Sequence, residues 1–204
     1  MSETTARRGR PATVDRDRVA ATALRLFTDE GFGNVTMDDV ARACGVARRT
    51  LFRLFPSKAA MVWGGSGEAR ETITGALDAA GDVGLPEALD LVRDAFVASS
   101  TFPPEALEVT RQRLCLIAAD EELLSWGTSS IGTSAVLVAE FLGRAEGAAE
   151  PSLRARSLAA ACAAANFAAL VWWAQHAPER DPARVVEEAL THLLEGARTW
   201  AAQA

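Results

Sequence analysis

Apolar residues in this chain recur at helical spacing and almost nowhere alternate. Val19, Ala23, Leu26 and Phe27 fall on one face of a first helix, with Asp15 as its cap, Asp17 in its first turn and Gly31 at its end. Gly31-Phe32-Gly33-Asn34 reads as a loop. Thr36-Met37-Asp38-Asp39 has the T-x-x-D form of a capping box, and Met37, Val40, Ala41 and Cys44 make the apolar face of the short helix behind it. Gly45 stops that helix and Val46 plugs the turn. A third helix follows over about residues 47–54, with Leu51, Phe52 and Phe55 on its apolar side, and Pro56 breaks it before Ser57 caps a fourth. Later breaks fall near residues 64–67, 81–86, 103–104, 120, 143–151 and 178–182, with Pro86, Pro104 and Pro182 where first-turn prolines are tolerated. No internal repeat and no alternating β-branched run interrupts this pattern. It predicts an all-α protein of about nine helices: a basic flexible arm over 1–12, a small helical domain over 13–60 and a larger one over 61–204.

Charge sharpens that division. The 204 residues carry a net charge of −6, but residues 1–60 hold 11 Lys/Arg against 7 Asp/Glu, and residues 61–204 hold 10 against 20. A basic head of +4 on an acidic body of −10 suits a protein that meets a polyanion at one end only. Chance clustering gives the same asymmetry, so the deciding signal has to be a motif.

Residues 36–54 supply it. Two short helices joined by a glycine turn are the geometry of a helix-turn-helix, and the second carries Arg48, Arg49, Thr50 and Arg53 away from its apolar side. An arginine fork matches guanine O6 and N7, and threonine meets a thymine methyl or a phosphate. A solvated arginine face on a small bundle has the same local pattern. The ordered series Ala21-Thr22-Ala23-Leu24-Arg25-Leu26-Phe27, Gly31-Phe32, Thr36-Met37-Asp38-Asp39-Val40-Ala41, Gly45-Val46 and Thr50-Leu51-Phe52-Arg53-Leu54-Phe55-Pro56-Ser57-Lys58 resembles the N-terminal domain of the TetR family. The resemblance implies a three-helix DNA-binding domain with a helix-turn-helix. It also implies a larger C-terminal helical domain for ligand binding and dimerisation, and repression relieved by a small molecule.

By position, the resemblance implies that Thr36 and Lys58 contact phosphate, that Arg48, Arg49 and Thr50 read bases with Phe52 and Arg53 beside them, and that Arg7, Arg8 and Arg10 enter the minor groove or screen phosphates. The sequence departs from the family pattern at Ala47, which replaces a capping serine, at Phe52, which replaces a tyrosine, and at Leu54. Residues 48–58 followed by Val62-Trp63-Gly64 are also similar to regulators of the mycofactocin type, which implies a long-chain acyl-CoA or related lipid effector.

In the acidic body, the resemblance assigns homodimer contacts to the last two long helices, about residues 152–176 and 182–202. Residues 159–169 are almost all small, and Val185, Val186, Ala189, Leu190, Leu193 and Leu194 form a stripe; both suit close helix packing. An ordinary internal core reads the same way. Polar or aromatic residues inside apolar helices are the candidates for an effector pocket: Asn166 first, then Phe96, Phe102, Arg113, Cys115, Trp126, Phe141 and Trp172, each of which an ordinary core explains at least as readily. An interhelical hydrogen bond accounts equally for Asn166, and a salt bridge for Arg113.

Catalytic chemistry finds no foothold. His176 and His192 lack partners in sequence, and Gly64-Gly65-Ser66-Gly67 lacks a P-loop lysine and reads as a hinge or loop. Neither a metal nor a cofactor is expected. Cys44, Cys115 and Cys162 are odd in number and widely spaced, which predicts reduced thiols in a cytoplasmic protein. Residues 158–174 are uncharged but short of the roughly 20 residues a membrane span needs, so a buried or interface helix is expected. The expected function is therefore a dimeric regulator of a palindromic operator in double-stranded DNA, responsive to a small apolar or acyl-type effector. The alternatives are an effector-independent regulator and a helical lipid carrier or enzyme that happens to contain a helix-turn-helix.

Overall fold

The computed structural model describes residues 14–201, apart from the side chains of residues 130 and 199–201. The described residues contain ten helices: α1 (Arg16–Glu30), α2 (Met37–Cys44), α3 (Arg48–Leu54), α4 (Lys58–Val62), α5 (Ser66–Ala79), α6 (Leu85–Ser99), α7 (Pro104–Ala119), α8 (Glu121–Ala145), α9 (Leu153–His176) and α10 (Pro182–Ala201). That is one more than the pattern predicts. Asp120 alone separates α7 from α8, closing one helix and capping the next through Leu123 N–H.

Local chemistry sets the N-terminal helices. The Asp15 carboxylate accepts from the backbone N–H groups of Asp17 and Arg18 and starts α1. Both halves of the capping box form between Thr36 and Asp39. Gly45, at φ 65° and ψ 30°, takes the left-handed conformation that closes α2 and turns the chain into α3. Ser57 caps α4 by accepting from Ala60 N–H. α3 lacks a side-chain cap because Ala47 stands at that position.

These helices share a core of Leu24, Phe27, Val40, Leu51, Phe55 and Met61, and Phe27 meets Phe32 edge-on at 5.1 Å. The core does not stop at α4: Ile117 of α7 and Leu123 of α8 belong to it. A second core unites α5, α6, α8, α9 and α10 around Leu89, Phe96, Phe141, Cys162, Trp173 and Leu190. α9 is its axis, packing against α7, α8 and α10. At 24 residues, α9 is long and apolar enough by composition to cross a membrane, which corrects the expectation that the stretch is too short. Its inner face is nevertheless committed to the bundle: Ala155, Ala159, Cys162, Ala169 and Trp173 are all buried there.

Candidate nucleic-acid interface and effector cavity

α3 buries Leu51 completely and turns Arg48, Arg49, Phe52 and Arg53 outward, with Thr50 half-buried beside them. These positions share one side of a helix. Phe52 is 40% exposed and lies under the Arg48 guanidinium at 5.4 Å, so its ring lends an apolar surface where a hydroxyl is absent. Arg48 also pairs with Asp38 of α2 at 2.7 Å. Arg49 and Arg53 make no side-chain hydrogen bond or ion pair with a described residue. Of the four outward residues, Arg48 must therefore exchange an existing partner to reach a base.

The two residues expected at phosphates are partly engaged. The Thr36 hydroxyl donates to Asp39 Oδ2 at 2.6 Å and accepts from the Asp39 N–H at 3.2 Å. Lys58 Nζ donates to the Phe32 carbonyl at 2.6 Å and sits 4.3 Å from the Phe32 ring, tying the start of α4 to the loop between α1 and α2. Arg7, Arg8 and Arg10 lie outside the described residues.

Asp39 supports a prediction about pH. Hydrogen bonds from the Thr36 hydroxyl and backbone N–H, and then from Arg42, hold its carboxyl at about 2, against an ordinary 3.8. Its contribution to stability is thus present above pH 3.8 and is lost as pH falls toward 2. The melting-temperature gap between the native protein and Asp39→Ala should be widest near neutrality and narrow through that acid window.

Beneath this domain lies a largely apolar cavity of about 150 Å³. It runs between α5, α6, α7, α8 and α9, and Trp63, at the end of α4, closes the side toward the DNA-binding helices. Ala163, Asn166, Phe167 and Leu170 line it from α9 at helical spacing. Its few polar groups include Ser99, Ser100, Thr110 and Ser134. Ser100 Oγ donates to Asn166 Oδ1 at 3.2 Å.

Of the sequence candidates, Phe96, Arg113 and Asn166 come together in this lining, as does Phe102. Trp126 and Trp172 do not, and their assignment to the pocket is corrected. Trp126 is 44% exposed and meets Trp63 from outside at 6.1 Å. Trp172 is 43% exposed on the outer face of α9, stacked on His176 at 5.7 Å.

Sequence reasoning missed Trp63 and Phe167. Their rings stack at 5.7 Å, and Trp63 Nε1 donates to the Leu123 carbonyl at 3.0 Å. The available signal was a tryptophan at the end of a five-residue helix, directly before the glycines of residues 64–67. Gly65 and Ser66 of that stretch line the cavity, and Ser66 opens α5.

The cysteines are free. Burial pushes the Cys162 thiol up to about 12 and the Cys44 thiol upward as well, so both are poor nucleophiles. Among the described residues, no group of three or more His, Cys, Asp or Glu is placed to hold a metal.

Residues 20–62 match the profile of the bacterial regulatory proteins of the tetR family, and residues 86–198, more than half the chain, match the MftR C-terminal domain. The chain belongs to the TetR family. Within it, this TetR-family regulator is 32% identical over 139 residues to a Mycobacterium tuberculosis protein described as a mycofactocin biosynthesis transcriptional regulator, MftR; the match covers 68% of this chain and 69% of that one. Over 57 residues it is 39% identical to the transcriptional regulator EthR of Mycolicibacterium smegmatis, spanning 28% of this chain and 26% of EthR.

Among solved structures, it superposes with a TM-score of 0.57 and 25% identity on Thermus thermophilus FadR, a TetR-family repressor crystallised with lauroyl-CoA, covering 89% of this chain and 94% of that one. TetR-family regulators bind operator DNA and small-molecule effectors, typically as dimers, and are not enzymes.

Proposed function

We propose that this TetR-family regulator is a repressor that binds a palindromic operator as a homodimer and is released by an apolar, acyl-type effector held in the cavity beneath Trp63. The observation that carries the reading is the continuity from cavity to reading head. Trp63 is at once cavity wall, end of α4 and a residue of the core on which α3 rests. A ligand that displaces its ring acts on the helix leading out of the helix-turn-helix. Release requires the effector to bind the DNA-free arrangement more tightly than the DNA-bound one.

The effector-independent alternative calls for a closed, fully packed body, and the cavity favours the liganded reading. The lauroyl-CoA bound by FadR supports an acyl chain as the occupant. A long chain needs more than the present 150 Å³, which is about the size that takes benzene. A long-chain acyl-CoA effector therefore implies a wider cavity in the bound state.

The homodimer reading rests on the outer face of α9. Ser157, Ala160, Ala164, Ala168 and Trp172 follow one another at helical spacing and are exposed on one face of a helix whose opposite face is buried in the bundle. Small residues allow a second helix to approach closely, and Trp172 adds apolar area. Pairing there gives the twofold symmetry that a palindrome requires.

The test is operator release measured by fluorescence anisotropy. Short acyl ligands should lower the bound fraction with the native protein. They should fail with Ala163→Phe, which fills the cavity from a buried position while leaving the DNA surface untouched. Release of the variant at the same ligand concentration would contradict the cavity assignment.

A further inference from the structure

The cavity contains an unmatched charge. Arg113 of α7 forms part of its lining. Its Nε is sealed from solvent and has no hydrogen-bond partner among the described residues. Glu68 of α5 and Asp17 of α1 act on it only through space, while burial pushes its pKa down. A guanidinium does not give up its proton in a protein, so the half-buried charge persists without a direct ion pair among the described residues. Burying a charge without a partner is costly, and the cost is relieved when an anion is brought to it.

We infer that the effector of this site is an apolar carboxylate, its hydrocarbon body among Phe96, Ile131 and Phe167 and its anionic head paired with Arg113. This rests on the reading of the cavity as the effector site and names the effector's chemical class. Three observations favour a carboxylate over a phosphate or a neutral ligand. Arg113 brings one positive charge on which Glu68 and Asp17 already act through space, so a single carboxylate charge suits the site better than a phosphate monoester with nearly two. The planar fork of arginine pairs with the two charged oxygens of a carboxylate, which a neutral ligand does not offer. A cavity of about 150 Å³ takes a short chain or a single ring together with a small head, and a nucleotide head does not fit inside it.

The position of Arg113 also gives its occupancy a consequence. A Cβ added at Gly65 would come within 3.2 Å of Arg113 Nη1, so the guanidinium lies against the corner between α4 and α5. An anion that draws Arg113 into the cavity moves a group packed on the joint between the DNA-binding helices and the body. Arg113 is thus a binding residue placed where binding is transmitted.

The test compares octanoate, its neutral isostere octanamide, and octanoyl-CoA by calorimetry and by quenching of tryptophan fluorescence. The proteins are the native chain, Arg113→Gln, Arg113→Lys and Ala163→Phe. Octanoate should bind the native protein about tenfold or more tighter than octanamide, the margin of a charge-assisted pair over a neutral one. Arg113→Gln should abolish that preference and leave octanamide binding within about threefold, and Arg113→Lys should keep part of it.

Equal binding of octanoate and octanamide by the native protein, a preference that survives Arg113→Gln, or no saturable octanoate binding would each overturn the inference. Octanoyl-CoA binding that depends on Arg113 while octanoate gains nothing would put a phosphate at the guanidinium, overturning the carboxylate assignment but leaving the effector cavity standing. Undiminished octanoate binding by Ala163→Phe would remove the cavity reading itself, and this inference with it.

Discussion

Gly127→Ala should destabilise the protein and loosen its hold on the operator, although it adds only one methyl group to a helix. A Cβ built on Gly127 of α8 overlaps the six-membered ring of Trp63. The ring has little room to yield. Phe167 stacks on it at 5.7 Å, Trp126 stands 6.1 Å away, and its Nε1 is held by the Leu123 carbonyl. Overpacking of this kind costs about 1–3 kcal/mol, which for a chain of this length lowers the melting temperature by roughly 3–10 °C. The buried hydrogen bond adds about 1 kcal/mol if it breaks.

Gly132→Ala on the same helix is the control. No atom lies within 4 Å of the added Cβ there, so the better helix propensity of alanine should leave stability unchanged or raise it by up to about 1 kcal/mol. Thermal melts of the two variants check the prediction. Equal melting temperatures would mean that Trp63 is not seated against Gly127.

Arg49→Ala and Lys58→Ala should weaken DNA binding in different ways. Arg49 is exposed on the outward side of α3 and is not committed to any described residue, so it can form a forked contact to a base edge without first breaking another bond. Its loss should remove about 1–3 kcal/mol of discrimination, concentrated on the operator and small on unrelated duplexes. Lys58 is half-buried, with one donor spent on Phe32. Its loss should weaken all DNA alike and lower the salt slope by about 1.

Lys58→Ala should also reduce thermal stability, because it frees the first turn of α4 from the loop before α2; Arg49→Ala should not. Anisotropy titrations on specific and scrambled fragments at several salt concentrations, with a melt of each variant, separate these contributions. Arg48→Ala is expected to lose less than Arg49→Ala, since Arg48 gives up its 2.7 Å pair with Asp38 on binding.

The DNA-binding helices were readable in the sequence because short-range chemistry fixes them. Asp15, Thr36 with Asp39, Gly45 and Ser57 each cap or close a helix in the structure as the residue types predict, and the missing cap at Ala47 is missing there too. The cavity was only partly readable. α9 is rich in alanine on every side, so its pattern does not separate the face toward the cavity from the face toward solvent. Asn166 stood out as a polar break in that run. Trp172, a weaker candidate six residues further on, lies on the outer stripe. Trp126 was misplaced for a related reason: α8 carries aromatic and aliphatic groups inside and outside, and only packing against α4 and α9 decides which are enclosed. Trp63 was passed over as a pocket residue because its role depends on contacts with α8 and α9, distant in sequence.

The most direct test of the account is selection of binding sites from a pool of random duplexes by the native protein and by the double variant Arg48→Ala/Arg49→Ala. The account predicts that the native protein enriches a palindrome whose half-sites lie about one helical turn, roughly 34 Å, apart, and that the double variant enriches none. Enrichment of the same sequence by both proteins, or of no sequence by the native protein, would contradict it.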